Sequence, residues 1–91
     1  MPGRRSRENS EWRDESIKIA QTLRQARKGR GLTQEDLAVQ SGVKLSSLRA
    51  IEDGRVTEPG IFKVVLLAKA LSIDLNDLLR NVHPPHSRLD A

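Results

Sequence analysis

The sequence predicts an all-α fold of five helices, and three observations point to it. Apolar residues recur three and four positions apart over most of the chain, and no stretch shows the strict alternation of a half-buried strand. Glycines and prolines punctuate the periodic stretches at intervals that suit helix ends. Two stretches open on a capping residue with an aspartate three positions later, Thr33 with Asp36 and Asp74 with Asp77.

The first periodic stretch runs from about Glu11 to Lys28, with Trp12, Ile19 and Leu23 at helical spacing and Ala20 and Ala26 beside them. Arg24, Arg27, Lys28 and Arg30 crowd its end, where cations suit the negative pole of a helix, and Gly29 and Gly31 stop it. Thr33 then caps a helix over Gln34–Ser41, with Leu37 and Ala38 inward and Gly42 closing it. A third helix spans Lys44–Asp53, its apolar face Leu48 and Ile51, and Gly54 ends it. Two short helices on either side of one glycine-containing turn have the shape of a helix-turn-helix. Residues 55–60 form a loop around Pro59 and Gly60. Ile61, Val64, Val65, Ala68 and Leu71 mark an amphipathic fourth helix, and Asp74 caps a last one carrying Leu75, Leu78, Leu79 and Val82. Residues 1–10 are expected to be a basic tail, 11–82 the folded domain and 83–91, which carry two prolines, a second tail.

At 91 residues the chain holds one domain, and 36% hydrophobic with 31% charged residues is a globular balance. No apolar run spans a membrane, and the basic N-terminus lacks the apolar core of a secretory signal. The expected compartment is therefore the cytoplasm. There is no cysteine, hence neither a disulfide nor a thiolate metal site. His83 and His86 have no third ligand of matching type nearby, and no nucleophile–base–acid set is visible. The sequence predicts no enzyme, no metal and no cofactor.

The net charge of +4 is unevenly spread. Residues 1–31 hold nine Lys/Arg against four Asp/Glu, and residues 32–91 seven against eight. That basic end suits an anionic partner. With only Trp12 and Phe62 as aromatic residues, there is no stacking platform for single strands. A single-stranded nucleic acid is thereby disfavoured as that partner.

The segments LRQARKGRGLTQEDLAVQSGV, SSLRAIEDGR and LAKALSIDLNDLL follow one another in an order and spacing that resemble the phage repressor and Cro type of helix-turn-helix, the XRE family of small regulators. The resemblance covers Leu23 to Leu79 and implies a five-helix, lambda-repressor-like domain, here with an extended first helix. It implies double-stranded DNA as the partner, with association to the nucleoid when bound, and makes the third helix the recognition helix. Lys44, Leu45, Ser46, Arg49 and Ala50 are then the residues that reach base edges. Lys44 and Arg49 suit guanine or a phosphate, Ser46 either a donor or an acceptor, and Leu45 and Ala50 a thymine methyl group. Backbone contacts fall to Thr33, Gln34, Ser47, Arg55, Arg27 and Lys28, with Gln34 also suited to bracing the recognition helix. Glu52 is read as structural, paired with a nearby cation.

Three departures from the family pattern stand out. Lys44 replaces the usual Ser or Thr cap of the recognition helix, Glu58 introduces an acid near the expected backbone path, and Ser72 replaces the glycine that ends the fourth helix. The surplus leucines of the last helix, Leu75, Leu78 and Leu79, with Val82, predict a homodimer interface that sets two recognition helices ~34 Å apart on a near-palindromic site. The expected function is an autoregulatory transcription regulator, with restriction–modification controllers and phage or plasmid repressors as contexts. The alternative is an antitoxin or another helix-turn-helix protein whose main partner is a protein.

Overall fold

A computed structural model describes residues 12–56, 58–80 and 82 of the chain. The expected tails, the start of the first helix at Glu11 and both histidines lie outside the described residues. Among the described residues five helices follow in order, α1 (Arg13–Gly29), α2 (Gln34–Ser41), α3 (Leu45–Glu52), α4 (Ile61–Ala70) and α5 (Leu75–Leu78). Within the same residues there is no strand, and no helix is long and apolar enough to cross a membrane.

α2 shows how local chemistry sets the boundaries. The Thr33 hydroxyl accepts from the Asp36 backbone N–H at 3.0 Å, and the Asp36 carboxylate accepts from the Thr33 N–H at 3.0 Å, which closes a capping box. These bonds hold the Asp36 carboxyl below its ordinary value, the Thr33 backbone N–H contributing first and the hydroxyl second. Gly42, at φ 79°, ends α2 in the left-handed region.

There the Gly42 N–H makes a single bond to the Ala38 carbonyl, whereas three other helix ends close with a pair of bonds. After α1, Leu32 N–H donates to the Arg27 carbonyl and Gly31 N–H to that of Lys28. After α3, Arg55 and Gly54 donate to Ala50 and Ile51, and after α4, Ile73 and Ser72 donate to Ala68 and Lys69. Each is a Schellman turn whose penultimate residue takes positive φ. Two of the three use glycine there, whereas Ser72 adopts φ 57° with a side chain attached.

α2 packs on α3 and α4, α1 on α3, and α4 on α5. Leu23, Leu37, Leu48, Leu67 and Leu71 are fully buried where these helices meet, and Val43 of the α2–α3 turn joins them. The spacing places Leu48 and Ile51 on the inner face of α3, and both are buried.

The end of the chain departs from expectation. α5 is a single turn, so Val82 lies beyond it. Asp74 caps through the Asn76 N–H, and Asp77 pairs with Arg80 instead of reaching back. Leu78 is 4% exposed and belongs to the core, and Leu75 packs against that core. Through the contact of α5 with α4 these two leucines close the core of the monomer. Leu78 is thereby withdrawn from the expected interface, and of the α5 region Leu79 retains exposure.

Candidate nucleic-acid interface

α3 has two sides of opposite character. Leu48, Ile51 and Glu52 are buried, while Lys44, Ser46 and Arg49 are exposed and Leu45, Ser47 and Ala50 half-buried. Hence all five positions expected to face bases lie off the buried stripe. α3 begins at Lys44 without a side-chain capping bond, as the loss of the usual hydroxyl predicts. The turn before it is held from within, since the Ser41 hydroxyl accepts the Val43 N–H at 3.1 Å.

The C-terminal end of α3 is anchored by a buried charge network. Arg27 Nε and Nη2 donate to Glu52 Oε2 and Oε1 at 2.8 and 3.0 Å, and Arg27 Nη1 donates to the Leu32 carbonyl at 2.8 Å. The side chains are 10% and 1% exposed. A planar guanidinium forked onto a carboxylate is the geometry in which a buried pair recovers its desolvation cost. Glu52 is thus structural, as expected, and its cation is Arg27. Arg27 was expected on the DNA backbone, but it is buried and each of its three guanidinium nitrogens donates inside the protein, which turns it away from a phosphate.

Gln34 extends the network outward. Its Nε2 donates to Glu52 Oε1 at 3.0 Å, while its Oε1 accepts from Arg49 Nε at 3.4 Å. Arg49 Nη2 also lies 3.3 Å from Glu35 Oε2, in a pair exposed on both sides. Gln34 therefore braces α3 against α2. Exposed pairs of such length contribute little, so Arg49 is free to exchange Glu35 for another partner.

The remaining candidates are spread around this centre. Arg55 is exposed and lies 3.3 Å from Asp53. Lys28 lines a polar cleft on α1 with Gln21, Arg24 and Gln25. Glu58, expected near the backbone path, lines an apolar groove with Trp12 and Leu79. Lys63 escaped the sequence reading because its helix reads as core. It is exposed and faces Ser46 and Ser47 across a groove of about 220 Å³. A charged residue at an off-stripe position in the first turn of α4 was the available signal.

No curated protein and no solved structure matches the chain. The family model described as helix-turn-helix matches residues 23–78, the segment that carries α2, the turn, α3 and the Arg27–Glu52–Gln34 brace. That match spans more than half of the sequence, and the chain belongs to the XRE-type helix-turn-helix family of DNA-binding regulators.

Proposed function

We propose that this protein is a sequence-specific regulator of transcription that docks α3 in the major groove of a near-palindromic operator as a homodimer, and that the operator includes its own upstream DNA. The observation that carries the reading is the division of α3. One side is locked to the core by Leu48, Ile51 and Glu52, and the other offers Lys44, Leu45, Ser46, Arg49 and Ala50 with both donors and apolar groups. Gln34 keeps a second amide N–H for phosphates at the start of α2, next to Thr33, and Ser47, Arg55 and Lys28 supplement it.

The dimer reading is supported by apolar surface near the ends of the domain. Ile61 and Phe62 are 56% and 80% exposed, and Leu79 is 37% exposed. Ile61, Leu79 and Val82 line a groove of about 290 Å³ with Trp12. The contact surface is thus drawn around Leu79, Val82 and Ile61, with Leu75 and Leu78 assigned to the core.

Gel shift of the upstream fragment against random DNA at two salt concentrations tests the reading. A complex confined to the upstream fragment, of dimer stoichiometry, is expected. Arg49→Ala or Ser46→Ala should cost ~1–3 kcal/mol there if the side chain reads a base. Weak binding, equal on both DNAs and abolished by salt, moves the protein-partner reading to first place.

A further inference from the structure

Charge is distributed unequally on the two flanks of α3. On the α2 flank the first turn carries Glu35 and Asp36, and Glu35 lies against Arg49. Of the groups there suited to phosphate, the Thr33 hydroxyl is engaged with Asp36, and Gln34, which donates to Glu52, keeps one amide N–H beside those carboxylates. On the α4 flank two grooves run beside α3 and share Ser47 and Lys63. One adds Ser46 and the Gly60 backbone, and the other, of about 310 Å³, adds Lys44 and Gly42. Among the described residues no carboxylate lines either groove, and the charges on them are the two lysines. Neither lysine has an ion-pair partner within 4.0 Å among the described residues.

From this we infer that Lys63 and Lys44, on either side of Ser47, form the main phosphodiester-binding site of the protein, on the α4 flank of α3. The inference rests on the DNA-binding reading and deepens it. An ammonium group on a flexible stem is a point charge suited to a phosphate oxygen, and the Ser47 hydroxyl between them donates one hydrogen bond. On the opposite flank, a phosphate would approach two carboxylates. Lys44 accordingly binds backbone and not a guanine edge, and base reading is left to Leu45, Ser46, Arg49 and Ala50.

The test is the salt dependence of binding, measured by fluorescence anisotropy on the upstream fragment and on a random duplex. Wild type is compared with Lys63→Gln, Lys44→Gln and, as a control at the far end of α4, the exposed Lys69→Gln. Removing one cation from a phosphate lowers the slope of log affinity against log salt by ~0.9. Lys63→Gln and Lys44→Gln should each show that drop and weaken both DNAs by the same factor, because a backbone contact carries no sequence information. Lys69→Gln should leave the slope unchanged. If wild type binds with a steep slope and Lys63→Gln retains it, the site is overturned while the DNA-binding reading stands. If Lys44→Gln lowers only the preference for the upstream fragment, Lys44 reads a base and the two-lysine site is likewise overturned. If wild type shows no salt-dependent affinity for either DNA, the DNA-binding reading fails and takes the site with it.

Discussion

Replacing Glu52 by alanine tests whether the recognition helix is held from inside. The Glu52 carboxylate, 1% exposed, accepts two bonds from Arg27 and one from Gln34, so its removal leaves a buried guanidinium without its counter-charge and frees the Gln34 amide. Breaking a buried pair from one side typically costs ~3–5 kcal/mol. Set against a typical total of ~5–15 kcal/mol, this removes a large share of the stability. Urea unfolding followed by far-UV circular dichroism measures it. The double replacement Arg27→Met with Glu52→Leu removes both charges together and should recover most of the loss, since apolar pairs of similar volume substitute well for buried ion pairs. The recovery will be incomplete, because the Leu32 carbonyl loses its donor. DNA affinity should stay below that of wild type even when stability returns, because Gln34 no longer has its anchor. A loss under about 1 kcal/mol for Glu52→Ala would refute the reasoning, since that is the range of an exposed pair.

Three further expectations follow from the helix ends. Ser72→Gly should stabilise the protein by about 1 kcal/mol, because a left-handed residue with a Cβ is strained and glycine is not. Its Tm should rise by roughly 4–8 °C for each kcal/mol gained, and an unchanged or lower Tm would refute the strain. Lys44→Ser should restore the missing cap of α3 and add ~1 kcal/mol of stability while weakening DNA binding, so thermal melts and anisotropy should move in opposite directions. Asp36 has a lowered folded pKa, so its contribution is full at neutral pH, above the ordinary carboxylate range, and is lost as pH falls through the folded value. The gap in Tm between wild type and Asp36→Ala should therefore close on acidification, and a gap constant from neutral to acid pH would exclude the carboxylate as its source.

What could be read from the sequence was what short-range chemistry determines. The bounds of α2 follow from Thr33 and Gly42, each of which signals its own end. The inner face of α3 follows from spacing. Arg27 was misread because it sits in a cluster of exposed cations, although Ser16, Ala20, Leu23 and Arg27 form one buried stripe at helical spacing. Its partner lies 25 positions away, so only the folded chain joins them. Leu78 was misread for a related reason. Whether a leucine on a last, single-turn helix faces the core or a second copy depends on how much space the other helices leave, and periodicity does not carry that volume. Lys63 comes beside Ser47 only through the approach of α4, again a tertiary fact.

The division of α3 has a consequence for how such a protein diversifies. On the proposed reading, anchorage and base recognition occupy different residues of one short helix, with Leu48, Ile51 and Glu52 serving the first and Leu45, Ser46, Arg49 and Ala50 the second. Exchanges at exposed positions usually alter stability by no more than ~0.5 kcal/mol. Preference for a new operator can therefore be acquired one reading residue at a time without passing through unfolded intermediates. The helix behaves as a replaceable cartridge, and a library randomised at the reading positions alone should return mostly folded proteins with altered targets.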